Sequence, residues 1–232
     1  LWRDAPASAS LLLSRLSGRK YWAVTISDTT VRLGFITSLH HAIAKAEHEG
    51  RIEKDILEHW LKIEGRVVYD IGGYNGLYGI LYAKKYPQSS VTIFEPDAIN
   101  YNQILHNIQL NGLTNCMVEK VAISDKEGTL QFSQGGRSKE RIVESGGNAV
   151  PTFPLSHYPK ADLLKIDVEG AEGKVLKGLN YLSNIVLELH NQEMLAQYGD
   201  TQEGILNRAK ELHLTPVLLS DRDSEKHYLL QK

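Results

Sequence analysis

VVYDIGGYNGLYG, residues 67–79, passes from an apolar run into a glycine-rich turn and then into a segment with helical spacing. Val67 to Ile71 reads as a buried strand with an acid, Asp70, near its end. Gly72, Gly73 and Gly76 follow, and LYGILYAKKY (77–86) reads as a helix stopped by Pro87. Glycine adopts conformations that let a chain turn tightly and approach a ligand closely. In open α/β sheets, ligands bind beyond the carboxyl ends of strands, where the strand order reverses. Asp70 therefore stands at a candidate ligand site.

The next apolar run, SVTIFEP (90–96), ends in Glu95, 19 residues beyond Gly76, where a carboxylate can accept hydrogen bonds from a ribose diol. A dinucleotide fingerprint needs G-x-G-x-x-G. Counted from Gly72 its third position is Tyr74, and counted from Gly73 it is Asn75, so the fingerprint fails. Asp-x-Gly-x-x-x-Gly followed by a strand ending in an acid suits a nucleoside that carries an amino acid and no pyrophosphate, namely S-adenosylmethionine. The alternative is a bare βα turn, with Glu95 as a helix-start acid.

Strands and helices alternate along the rest of the chain. DAINYNQILHNIQLNG (97–112) is an amphipathic helix with apolar Ile99, Ile104, Leu105 and Ile108, closed by Gly112. NCMVEKVAIS (115–124) is a third strand that turns at DKEG into TLQF. Residues 133–160, polar and rich in Gly, Ser and Pro, read as a long loop; such loops in compact domains are functional or disordered. The strand ADLLKID (161–167), a helix starting at VEGAEG (168–173), the strand NIVLELH (184–190) and the helix TQEGILNRAKELH (201–213) follow. Residues 215–232 read as an antiparallel hairpin. Upstream, YWAVTI (21–26) and TTVRLGFI (29–36) suggest a small hairpin. Two helices come next, closed by Gly50 and Gly65. Residues 1–65 are expected to form an N-terminal cap on a main domain spanning 66–232. Repeated β-α units with apolar strands imply an α/β fold, a mostly parallel sheet with helices on both faces.

At 232 residues the chain fits one large α/β domain, and 42% hydrophobic with 23% charged residues is an ordinary globular composition. A formal net charge of −2 gives no global electrostatic case for nucleic acid or an anionic membrane. No apolar run reaches the roughly 18 residues of a membrane span. The one cysteine, Cys116, cannot form an intrachain disulfide, which points to a reducing, cytoplasmic setting. The chain opens at Leu1 without a Met and is read as a segment of a longer chain.

Five segments in this order carry a family resemblance: VVYDIGGYNGLYGILYAKKY, VTIFEPD, NIQLNGLTNCMVEKVAISDKEG, DLLKIDVEGAEGKVLKG and IVLELH. Across about residues 64–190 the chain resembles the FkbM family of S-adenosylmethionine-dependent methyltransferases, with KIDVEGAE the most distinctive stretch. The resemblance implies a Rossmann-like class I methyltransferase fold, with a seven-stranded sheet, and O-methylation of hydroxyls on sugars, glycans or secondary metabolites. The family turn reads Asp-x-Gly-Ala-Asn-x-Gly; here Gly73 replaces the Ala and Tyr74 the Asn, with Asn75 one place later. By family position Asp70, Gly72 and Gly76 line the methionine part, and Gly73 and Tyr74 are further cofactor-binding candidates in the same turn. Glu95 then falls at the ribose, the segment with Glu119, Val121 and Ala122 at the adenine, and Asp167 at the cleft rim, with Pro96 a further cofactor-binding candidate.

Methylating an alcohol benefits from a base that takes the proton as the C–O bond forms. Asp167 closes a strand beside the central one, Glu169 follows at a helix start, and His190 ends the next strand; these three are the catalytic candidates. Glu172 reads as an ordinary first-turn acid, favoured there by the helix dipole. A divalent metal on Asp167, Glu169, Glu188 and His190 is chemically allowed but not expected. His40, His41 and His48 read as surface histidines. Tyr74, Phe153, His157 and Tyr158 are candidates to pack on a sugar ring, and the basic GGRSKER (135–141) to contact an acidic glycan or phosphate. Two rivals stand beside the O-methyltransferase. One is a nucleic-acid methyltransferase, disfavoured by charge and by Asp-Val-Glu-Gly after the LLKI run. The other is a non-catalytic binding module.

Overall fold

The computed structural model describes residues 7–51, 53–132, 148–222 and 225–232. Helix α1 (Ala7–Leu16) leads to strands β1 (Tyr21–Ile26) and β2 (Thr29–Gly34), then helices α2 (Ser38–His48) and α3 (Lys54–Trp60). There follow β3 (Val67–Ile71), α4 (Leu77–Lys85), β4 (Ser90–Phe94), α5 (Ala98–Asn111), β5 (Cys116–Glu119), β6 (Ala122–Ser124), β7 (Gly128–Phe132) and β8 (Asn148–Pro154). The chain ends with β9 (Leu163–Ile166), α6 (Glu172–Lys177), β10 (Asn184–His190), α7 (Gln192–Ala196), α8 (Gln202–Glu211), β11 (Thr215–Asp221) and β12 (Glu225–Gln231).

Seven strands form one sheet in the order β11-β12-β10-β9-β3-β4-β5. Strand β12 runs antiparallel to β10 and β11, while the other neighbours are parallel. This is a Rossmann-like α/β sheet with a C-terminal antiparallel hairpin. From β3 the chain steps outward to β4 and β5, then returns to the far side of β3 as β9. The reversal between β3 and β9 leaves a crevice at their carboxyl ends.

Alternating side chains send β3 into two cores, one on each face. Val68 joins Ile56 and Trp60 of α3, Ile80 and Leu81 of α4, and Ile104 of α5. Tyr69 and Ile71 join Val175 and Leu176 of α6 and Ile205 and Ala209 of α8. The hairpin alternates too, so Val24, Ile26, Val31 and Leu33 are buried in the first of these cores. A polar stripe completes that contact. On α5, Asn107 Oδ1 accepts from Gly34 N and Gln103 Oε1 from Ile36 N, both at 2.8 Å. Asn111, one turn on, accepts from Arg32 N and donates to Arg32 O, each at 2.8 Å. Residues four apart share a helix face, so this stripe bonds the outer edge of β2 that β1 leaves unpaired.

The structure differs from the sequence reading at several points. NCMVEKVAIS is two strands: β5 closes the main sheet, whereas β6 leaves it to pair with β8 in a separate β6-β8-β7 sheet. The departure lets Val121 and Ile123 join the second core. Residues 148–154, expected in a loop because of Pro151 and Pro154, form β8, whose Val150 and Thr152 are buried. GGRSKER lies outside the described residues. No helix begins at Val168. Glu169 (φ 53°) and Gly170 (φ 103°) are left-handed, which a right-handed helix cannot propagate through, so α6 starts only at Glu172. His40 and His41 are buried, not surface, residues: His41 Nε2 meets Ser14 Oγ at 2.7 Å and His40 Nε2 meets Asn100 Oδ1 at 3.1 Å.

Two glycines with positive φ separate conformational from steric demand. Gly112 (φ 63°) caps α5 with nothing within 4 Å of a would-be Cβ. Gly72 (φ 87°) has the Asp167 carbonyl oxygen where its Cβ would lie. Gly112→Ala should cost about 1 kcal/mol, the left-handed penalty alone. Gly72→Ala adds overpacking and should cost about 2–5 kcal/mol in urea unfolding. Equal losses for the two variants would contradict this account.

Candidate active site

A cavity of about 370 Å³ opens at the reversal between β3 and β9, within the size range of small-ligand sites. On one side it is built by the turn after β3. Asp70 is buried and its Oδ2 accepts from Gly79 N at 2.9 Å, so it ties the strand end to the first turn of α4. Burial pushes its carboxyl up to about 6, against the pull of the Gly79 amide. Gly72 N and Gly73 N donate to Phe94 O at 3.0 and 3.2 Å. A Cβ on Gly73 would overlap Ile93, which explains why no alanine stands there. Asn75 Oδ1 accepts from Leu77 N at 3.1 Å and so caps the start of α4.

Glu95 clasps this turn to the end of β4. Its Oε2 accepts from Tyr74 N at 2.8 Å and its Oε1 from Asp97 N at 2.9 Å. Burial raises its pKa to about 8 even though both amides favour the charged form. Asp70, Gly72, Gly73, Tyr74, Glu95, Pro96, Val121 and Ala122 all line the cavity, as do Asp167, Glu169 and His190. Gly76 and Glu119 do not. Gly76 packs against Ile80 and Ile104, and Glu119 accepts from Tyr158 OH at 3.0 Å. Phe153, His157 and Tyr158 stack on one another, and Tyr158 also on Phe94, so of the four aromatic candidates only Tyr74 faces the cavity.

The opposite wall holds a buried charge cluster. Lys165, 1% exposed on β9, places Nζ 3.5 Å from Asp167 Oδ2 and 3.3 Å from Glu188 Oε2. Below it, His227 of β12 lies 3.2 Å from Glu188 Oε2 and 3.6 Å from Glu53 Oε1, and Tyr78 OH donates to Glu53 at 2.7 Å. His190 faces four acids. Its Nδ1 is 2.8 Å from Glu172 Oε1, and its Nε2 is 3.4 Å from Glu169, 3.8 Å from Glu188 and 3.9 Å from Asp167. Glu172 is therefore no solvated helix-start acid. It is wholly buried and its Oε1 also accepts from Gly170 N at 3.0 Å, because the left-handed turn folds α6 back under His190.

These charges set one another's protonation. Burial disfavours charge on both His190 and His227, but hydrogen bonds to Glu172 and Glu188, respectively, outweigh it and push each up to about 9. Burial works against Glu188 as well, yet Lys165 and His227 hold it well below the usual carboxylate range. Asp167 moves the other way. Its recess and the neighbouring Glu188 raise it, opposed by Lys165 and His190, although 31% of its side chain stays open. Among the described residues two donor sets are spaced for a metal, Asp167–Glu188–His190 and Glu53–Glu188–His227. Both share Glu188, whose Oε2 already meets the Lys165 ammonium and His227, so a metal there would contend with a fixed positive charge.

Sequence reading missed Lys165, Glu53, Tyr78 and His227. The one signal was a lysine inside the buried run LLKID; the others come together only through the antiparallel placement of β12 and the fold-back of α3.

The sequence profile described as "Methyltransferase FkbM domain" matches residues 70–202, more than half of the chain. The chain is 26% identical over 200 residues to "Methyltransferase sdnD" of Sordaria araneosa, the match covering 64% of this chain and 77% of that protein. It is 23% identical over 158 residues to "Methyltransferase 1" of Beauveria bassiana, covering 53% of this chain and 64% of that one. Among solved structures, the ribosomal protein L11 methylase from Lactobacillus delbrueckii subsp. bulgaricus superposes with a TM-score of 0.52 at 10% identity, covering 92% and 98% of the two chains. That likeness concerns the fold.

Because His190 and His227 are raised in the folded state from 6.5 to about 9, their stabilising contribution is complete below pH 6.5 and is lost as pH rises through 9. Urea-unfolding stability should fall across that window. Glu172→Gln, which keeps an acceptor but removes the charge, should lower the His190 pKa read by NMR by about one unit or more and flatten the stability loss. An unchanged His190 titration would refute the Glu172 assignment.

Proposed function

The chain belongs to the FkbM methyltransferase family, and on that premise we propose that it transfers a methyl group from S-adenosylmethionine to a hydroxyl of a sugar, glycan or secondary metabolite. The observation that carries this reading is that one cavity joins the Gly72–Glu95 turn to Asp167 and His190. The residues fit the cofactor. Gly72 and Gly73 leave no Cβ between the turn and its neighbours, Glu95 offers a carboxylate at ribose position, and Val121 and Ile123 are apolar surface for an adenine. When bound, S-adenosylmethionine supplies an electrophilic methyl on a sulfonium.

Asp167 is the base in this reading. Its raised pKa makes it a better acceptor of an alcohol proton than an ordinary carboxylate, and the open part of its side chain faces the cavity. Lys165 holds one carboxylate oxygen from below, so the other is left for the acceptor hydroxyl. His190, kept cationic by Glu172, stands 3.9 Å from that second oxygen and stabilises the charged form of Asp167 before transfer. Glu169 borders the same space, 3.4 Å from His190 Nε2. Met194 and Tyr198 wall the cavity beyond His190, where an acceptor would enter.

Isotope-labelled methyl transfer onto a panel of hydroxyl-bearing sugars and metabolites would identify the acceptor class. With an acceptor in hand, Asp167→Asn should lower kcat by about 10²–10⁴-fold while leaving S-adenosylhomocysteine affinity within a few-fold. The wild-type rate should fall on the acid side, at a pH above the ordinary carboxylate range. Full activity in Asp167→Asn would remove it from the base role. Methylation confined to amines or carbons would overturn the O-methyl assignment.

A further inference from the structure

Five residues from five parts of the chain form a closed ring of contacts beside Asp167. Lys165 Nζ on β9 meets Glu188 Oε2 on β10 at 3.3 Å, and His227 Nε2 on β12 meets the same oxygen at 3.2 Å. His227 also reaches Glu53 Oε1 at 3.6 Å, just ahead of α3, and Glu53 Oε2 accepts from Tyr78 OH of α4 at 2.7 Å. The Tyr78 ring closes the circuit, its centroid 4.9 Å from Lys165 Nζ. An ammonium has three donors. Glu188 and the Tyr78 ring take two directions, and the third is left for Asp167 Oδ2 at 3.5 Å.

Burial sets this ring apart from a surface ion-pair network. Lys165, Glu188 and His227 are all buried, and charges withdrawn from water so completely seldom repay the cost in stability. Glu53 adds a conformational cost, since its φ of 40° is left-handed, a region that disfavours a residue with a Cβ. Its carboxylate is engaged by Tyr78, by His227 and, at 3.7 Å, by Arg222 from the turn between β11 and β12. Tyr78, Lys165, Asp167 and Glu188 lie within residues 70–202, the segment matched to the family, whereas Glu53 and His227 lie on either side of it. The ring therefore closes only when both flanks are in place.

We propose that Glu53 and His227 are positioning residues for methyl transfer: they fix Glu188 and Tyr78, and through them the Lys165 ammonium, against Asp167. This rests on Asp167 being the base. An ammonium with two carboxylates in reach can swing toward either. His227 shares Glu188 Oε2 with Lys165, and Glu53 tethers the Tyr78 hydroxyl, so the ammonium keeps its place and the second Asp167 oxygen stays turned to the acceptor. Without His227, Glu188 Oε2 is left to Lys165 alone and draws it away from Asp167. Such small displacements of groups around a reacting atom are costly to the rate.

Crystal structures of the wild type, His227→Gln and Glu53→Gln test the placement without an acceptor. Lys165 Nζ should lie within about 4 Å of Asp167 in the wild type and beyond that in either variant. An unmoved ammonium in a variant, or a wild-type ammonium already beyond that distance, overturns the proposal. Tyr78→Phe, which removes only the hydroxyl that holds Glu53, takes the place of a variant that does not fold. With the acceptor found by labelled methyl transfer, His227→Gln should lower kcat by about ten-fold or more and leave KM and S-adenosylhomocysteine affinity within about three-fold. In an Asp167→Asn background the same substitution should change the remaining rate by less than about two-fold, because its effect runs through Asp167. An undiminished loss in that background marks a structural role and overturns the proposal, while leaving Asp167 as the base. Full activity of Asp167→Asn alone overturns the base reading, and the proposal with it.

Discussion

The close passage of Gly72 under the Asp167 carbonyl is the contact on which the site depends. Strands β3 and β9 are parallel neighbours, and their registered ends bring the turn after one against the turn after the other. Asp167 N donates to Ile71 O at 3.0 Å, one last rung of the sheet, and the next residue on β3 must then lie where any side chain would strike β9. Only glycine satisfies both the space and the left-handed turn. Because it does, the glycine turn after β3 and Asp167 are held against each other by backbone alone. Positioning of this kind is a large part of what a methyl-transfer site can contribute.

Around that contact the protein buries an unusual amount of charge. Lys165, Glu188 and His227 are nearly inaccessible, and charges taken out of water cost several kcal/mol each before their pairing returns any of it. The cluster is therefore a poor means of stabilisation. Its arrangement makes sense as a means of control: Lys165 and His227 hold Glu188 ionised, and Glu172 holds His190 cationic. Asp167, at the boundary with the cavity, is left as the acid whose basicity rises. Among the described residues the two candidate metal sets meet at Glu188, which the Lys165 ammonium and His227 already engage.

Several sequence expectations failed for a common reason. Glu172 looked like an ordinary first-turn acid because nothing in EGAEG announces two consecutive left-handed residues that fold the helix under His190. His40 and His41 looked exposed because the partners that bury them, Ser14 and Asn100, lie 27 and 60 residues away in the chain. In each case a polar side chain was assigned to water when its partner was a remote polar group.

The sequence by itself determined the alternating strands and helices of the main sheet, the glycine turn, the acid ending the next strand and the family. These depend on local periodicity, on backbone conformations that glycine permits, and on short motifs, all written in neighbouring residues. Only the tertiary structure decided which acids share a wall with Lys165, that Glu172 serves His190, and that Gly76 and Glu119 stand outside the cavity. Those facts arise where strands and helices far apart in sequence meet, and the interactions that fix them, burial and electrostatics, depend on distance in space.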